Sequence, residues 1–186
     1  MSRDQEKDNL QASTLAALLK DKQPKRGRPS HPISRQNVYI ALTPAQKQAI
    51  KEIAASLPAK ISRADVPDLA ITALTARLEG LHRAVADRTR TIPEGVTDLE
   101  SLYLLWDLPL PGRDDDAAWT SIRVSPQQVL DLGRAHGTLN AAFGATRSQT
   151  FVLGMALLTQ SLEDHPPDPL LTTLESVRQQ ILRNYL

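Results

Sequence analysis

Six cations crowd the stretch from Lys20 to Arg35: Lys20, Lys22, Lys25, Arg26, Arg28 and Arg35, against the single acid Asp21. Ammonium and guanidinium groups at this density are the usual electrostatic footprint for a polyanion. From Glu94 to Asp116 the balance reverses, with Glu94, Asp98, Glu100, Asp107, Asp114, Asp115 and Asp116 against Arg113 alone. The two segments cancel, so 22 Lys and Arg against 21 Asp and Glu leave a net charge of +1. Side chains suited to covalent or metal chemistry are not grouped for it. No Cys is present to act as nucleophile, thiolate ligand or disulfide partner. His31, His82, His136 and His165 lack metal-ligand spacing, and neither a phosphate-binding loop nor a G-x-S-x-G elbow occurs. Asp114 to Asp116, after Pro111-Gly112, read as a solvated acidic loop rather than a divalent-metal site. The expectation is a protein that binds rather than catalyses, with no cofactor and no metal.

A chain of 186 residues with 41% hydrophobic side chains can bury a core in one domain or two small ones. The opening MSRDQEKDNL is charged where a signal peptide would be apolar. The longest strongly apolar run, Phe151 to Leu158, is far short of the roughly 20 residues that span a bilayer. A soluble, cytoplasmic protein without membrane contact is expected.

The chain repeats itself. Residues 37–53 read NVYIALTPAQKQAIKEI and residues 119–135 read WTSIRVSPQQVLDLGRA, so that Ile40, Leu42, Thr43-Pro44, Gln46 and Ile50 match Ile122, Val124, Ser125-Pro126, Gln128 and Leu132 at an offset of 82. Further on, Ser62-Arg63, Leu69, Leu74, Thr75 and Leu78-Glu79 match Thr146-Arg147, Leu153, Leu158, Thr159 and Leu162-Glu163 at an offset of 84. Within each copy Val38, Ile40 and Leu42, or Thr120, Ile122 and Val124, alternate with other residues at the period of a half-buried strand. Thr43-Pro44 and Ser125-Pro126 then offer a capping hydroxyl followed by Pro at the first helical position. Ala45, Ala49, Ile50, Ile53, Ala54 and Leu57 form a helical stripe that Pro58 stops. Thr146 with Gln149 predicts a capping box opening a second helix, with Leu153, Leu157, Leu158 and Leu162 inward. The predicted unit is strand, helix, loop, helix. A single strand has no partner for its N–H and C=O groups, and two units can supply one another's.

On these residues the chain resembles the ribbon–helix–helix family of DNA-binding proteins, over about 36–80 and 118–163. The resemblance implies a mainly α fold of tandem ribbon–helix–helix units forming an intramolecular pseudo-dimer with a two-stranded antiparallel ribbon. Pairing of the first unit with that of another chain is the alternative. The six residues 24–29, Pro-Lys-Arg-Gly-Arg-Pro, resemble an AT-hook. That resemblance implies Lys25, Arg26, Gly27, Arg28 and Pro29 following the floor of a narrow A·T minor groove, where negative potential is concentrated.

Ribbon residues of the family enter the major groove, and strand alternation decides which these would be here. With Val38, Ile40, Leu42, Ile122 and Val124 inward, Asn37, Tyr39, Trp119, Ser121 and Arg123 turn outward as base-contacting candidates. Arg123 suits a bidentate contact to guanine and Asn37 one to adenine. Ala41, where the family often carries a polar side chain, offers only a methyl. The family grips phosphate at the start of its second helix, which maps to Ser62, Arg63, Thr146 and Arg147. Pro67 predicts that the first of these helices starts near Asp65, whose charge disfavours phosphate.

The expected organisation is a flexible basic arm over 1–35, units at 36–80 and 118–165, an acidic linker over 81–117, and a C-terminal amphipathic helix within 166–186. In the linker Leu99, Leu102, Tyr103, Leu105, Trp106 and Leu108 suggest a short helix packed on the core. Leu170, Leu171, Leu174, Val177, Ile181 and Leu182 give the last helix an apolar face, for docking on the core or for a protein partner. Residues 10–19 make a short amphipathic helix at most. The functional expectation is a nucleoid-associated repressor of transcription bound to double-stranded DNA, with homo-oligomers along it. A plasmid-partition adaptor recruiting a filament or ATPase, and a dimerisation scaffold that never touches DNA, are the alternatives.

Overall fold

The computed structural model describes residues 34–112, 115–168 and 173–186, and they build a mainly helical protein around one two-stranded antiparallel sheet. In chain order the elements are β1 (Gln36–Leu42), α1 (Pro44–Ser56), α2 (Val66–Ala86), α3 (Leu99–Leu105), β2 (Ala118–Val124), α4 (Pro126–Phe143), α5 (Arg147–Asp164) and α6 (Leu174–Tyr185). Strand, helix, helix thus occurs twice, with α3 between the copies. The basic hexapeptide at 24–29 and the segment 10–19 lie outside the described residues.

β1 and β2 pair with each other within the chain, Gln36 opposite Val124 through Leu42 opposite Ala118. Each strand is buried on one side only, so the core takes Val38, Ile40, Leu42, Ile122 and Val124. Two strands cannot bury a face alone, and α2 and α5 supply the opposing layer.

The helix starts follow local chemistry. Thr43 caps α1 in a reciprocal box with Gln46, and Thr146 caps α5 in the same way with Gln149. Ser125 departs from the expected pattern. It stands at the N-cap of α4 with extended backbone, but its hydroxyl makes no capping bond. Its N–H instead donates to Asp68 Oδ1 at 2.9 Å. The carboxylate of the other copy thus takes the N-cap N–H, the place that the Gln46 and Gln149 side chains take in the two capping boxes. α4 ends at Gly144, whose φ of +67° is the left-handed region that glycine enters at least cost. α2 begins at Val66 after Asp65, as Pro67 requires, and it runs on to Ala86, well beyond residue 80.

α2 and α5 cross where neither has a bulky side chain. A Cβ on Gly154 would fall 2.7 Å from the Ala70 carbonyl oxygen, so this approach tolerates only glycine. Around the crossing Leu69, Leu74, Phe151, Leu153, Leu157 and Leu158 are buried, each contributing about 1.5–3 kcal/mol. α3 packs Leu102 and Tyr103 inward, with Trp106 and Leu108 following, and Gln160 Nε2 donates to the Trp106 carbonyl at 3.0 Å. α6 docks Val177 and Ile181 on the core, and Tyr185 Oη donates to the Leu157 carbonyl at 2.8 Å. Arg77 lies between the rings of Trp106 and Tyr185, at 5.6 and 5.4 Å from their centres, which ties α2, α3 and α6 together. Among the described residues no helix is long and apolar enough to cross a membrane.

Candidate nucleic-acid interface

The side of the ribbon turned away from the core carries three cross-strand pairs: Asn37 opposite Arg123, Tyr39 opposite Ser121, and Ala41 opposite Trp119. Alternation leaves no choice about this, since of the intervening residues Val38, Ile40 and Ile122 are buried and Thr120 is half-buried. Tyr39 is 65% and Trp119 77% exposed, so neither ring is folded back onto the protein. One end of the face presents a guanidinium beside a carboxamide, the centre a phenol beside a hydroxyl, and the other end an indole beside a methyl. These groups can donate and accept hydrogen bonds in a plane about two strands wide, roughly 5 Å between backbones. A ribbon of this width fits a groove of about 12 Å.

The central pair has a further property. Tyr39 and Ser121 are the residues that the offset of 82 equates, and they face each other directly. Ala70 and Gly154 are equated by the offset of 84, and they meet at the crossing of α2 and α5. Two pairs of repeat-equivalent residues thus stand opposite each other, one in the sheet and one in the helical layer.

Second helices begin at opposite ends of the ribbon. At one end Arg35, just before β1, pairs with Asp65 and reaches Asp68 Oδ2 at 3.3 Å. Its side chain is 1% exposed. Arg35 therefore belongs to the core and not to a solvated arm, because two buried carboxylates demand a cation. Burial pushes the Asp65 carboxyl up, but donors from the Ser62 hydroxyl and N–H and from Arg35 outweigh it and hold it below the usual range. At the other end Ala41 N–H donates to Ser148 Oγ at 2.8 Å, fixing the first turn of α5 to the ribbon. Arg35 and Ala41 are separated by six residues of strand, about 20 Å.

These two starts differ in what they leave available. Ser62 N–H and Oγ both donate to Asp65 Oδ2, at 2.7 and 2.6 Å, so the donors expected to meet phosphate are already used there. Thr146 N–H is also used, by Gln149 Oε1 at 2.9 Å. The first-turn N–H groups of Arg147 and Ser148 have no acceptor within their helix, as at any helix start. Arg63 and Arg147 are both exposed beside the ribbon ends.

The sequence pattern located the outward ribbon residues and both helix starts. It missed the Arg35–Asp65–Asp68 cluster and the Ser148 tie. Asp68 was visible as the one acid in the apolar run VPDLAITAL, where a charge must have a buried partner, but which partner depends on tertiary packing. Compared with known proteins, the chain matches no protein-family model, no curated protein and no solved structure.

Proposed function

We propose that this protein is a sequence-specific DNA-binding regulator, a tandem ribbon–helix–helix chain whose copies act as an intramolecular pseudo-dimer and which represses transcription by occupying an operator. The observation that carries the reading is the outward row Asn37–Arg123, Tyr39–Ser121 and Ala41–Trp119 on a two-stranded ribbon with a helix start at each end. Arg123 would pair with guanine and Asn37 with adenine, the two bidentate matches that major-groove edges allow. Tyr39 and Ser121 would read the centre, and Trp119 the thymine methyl or sugar at the far edge. Phosphate contacts fall mainly to Arg147 and the first turn of α5, because Asp65 occupies the donors at Ser62. Arg63 would add charge only. Lys25, Arg26, Gly27, Arg28 and Pro29 would lie in an adjoining A·T minor groove.

The test is selection of bound fragments from random and source-genome DNA at physiological salt, with Arg123→Ala in parallel. An enriched motif that loses definition at one base pair in the variant supports ribbon readout. Hits at promoters support repression, and hits in clustered repeats support the partition adaptor instead. Salt-sensitive binding without a motif reduces the protein to a backbone binder. No binding at all leaves the dimerisation scaffold.

A further inference from the structure

The two copies differ at one equivalent place. In the first, the Arg35 guanidinium fills the space between the beginnings of β1 and α2, held by Asp65 and Asp68. Carried through the repeat, Arg35 becomes Ala117, Asp65 becomes Gln149 and Asp68 becomes Val152. Gln149 and Val152 both line a cavity of about 410 Å³, a size suited to a small ligand. Ala117 has only a methyl group, so the second copy brings no guanidinium of its own to that position. The opposite wall comes from the connector, through Asp98, Glu100 and the buried Tyr103, and the half-buried Phe143 adds a ring.

The lining is one-sided in charge. Among the described residues it holds two carboxylates and no Lys, Arg or His. Donors from the Ser101 backbone and hydroxyl hold the Asp98 carboxyl below the usual carboxylate range, which keeps it anionic near neutrality. An apolar ring such as Phe143, half-buried beside carboxylates, favours a cation that carries some apolar body. We propose that this cavity binds a small organic cation, a guanidinium or primary ammonium on a short aliphatic chain, and that binding tightens the grip on DNA. The second half of the statement rests on the ribbon being a DNA-reading face. The coupling is local, because Ala41 of the ribbon and Ser148 and Gln149 of the α5 start line the same cavity. Carboxylates there repel phosphate approaching Arg147, and a bound cation offsets them.

The experiment is calorimetric titration of the full chain, without DNA, using agmatine as probe and butylurea as its uncharged counterpart. Saturable binding of agmatine and not butylurea is expected. Glu100→Gln, an exposed substitution that leaves the core untouched, should weaken it about tenfold. Ala117→Arg should abolish it, since the installed guanidinium would take the place that Arg35 takes in the first copy. Absence of saturable binding to the wild-type chain, or undiminished binding to a folded Ala117→Arg or to Glu100→Gln, overturns the site. Arg26→Ala/Arg28→Ala separates a free ligand from the chain's own arm. Unchanged agmatine affinity supports the free ligand, and a marked gain puts the arm in the cavity and overturns it. A second titration follows fragment affinity with and without agmatine, where several-fold tightening is expected. Agmatine binding with no DNA effect removes the coupling and keeps the site, whereas agmatine binding without any DNA binding removes the DNA reading alone.

Discussion

Arg123 and Arg35 are the same residue type put to opposite uses, and the difference lies in what surrounds each. Arg123 stands exposed on a strand face, so removing it should leave stability within about 0.5 kcal/mol. Arg123→Ala is expected to cost about 1–3 kcal/mol of DNA affinity and to relax one base pair, read by filter binding across single-base variants of the selected site. Arg35→Ala should do the reverse. It strands the carboxylates of Asp65 and Asp68 in the core, and urea denaturation should record a loss of about 3–5 kcal/mol. Acid should mimic part of that loss. The Asp65 carboxyl is held below its unfolded value, so its contribution is present above about pH 4 and disappears as pH falls through the folded value. Urea midpoints measured from pH 6 downward should therefore converge for wild type and an Asp65→Asn variant. Midpoints that do not draw together as the pH falls, down to the lowest pH at which the wild type still folds, would show that Asp65 is not the titrating group.

At the scale of elements, much was legible because caps and alternation are local. Thr43 with Gln46 and Thr146 with Gln149 announce two helix starts within four residues of sequence, and Pro67 moves a third to Val66. The strand faces followed from period two alone. What could not be read was anything settled between elements. Ser125 has the residue type of a cap, but its hydroxyl makes no capping bond and its N–H is taken by Asp68, 57 residues earlier in the chain. Arg35 has the composition of the basic arm, and only the fold shows it buried. The α2–α5 crossing was likewise hidden, since Gly154 in a helix reads as a weak point until Ala70 is seen against it. Gly154→Val should thus destabilise sharply, by several kcal/mol in thermal or urea unfolding, although it improves neither charge nor capping. Gly133→Ala in α4, where a Cβ would meet nothing within 4 Å, is the control and should be neutral or mildly stabilising.

Taken as a whole, the chain carries strand, helix, helix twice, and residues at equivalent repeat positions stand opposite each other at Tyr39–Ser121 and Ala70–Gly154. A ribbon made of two different strands should select a core site that is not palindromic. Fragment selection checks this directly, and a strictly palindromic core would point to strands pairing between chains. Binding should weaken steeply with salt, by a slope that falls when Arg26 and Arg28 are replaced, and the loss should concentrate at A·T-rich flanks.

The relation between Arg35 and Ala117 carries a consequence for inheritance. When a twofold protein is assembled from identical chains, every mutation is expressed on both sides at once, and a change good for one side is vetoed if it harms the other. Here each side has its own codon. One copy holds an internal ion cluster, and in the other the equivalent residues Gln149 and Val152 line a cavity. With both halves on one chain, a substitution at Arg35 or at Ala117 is expressed on one side only.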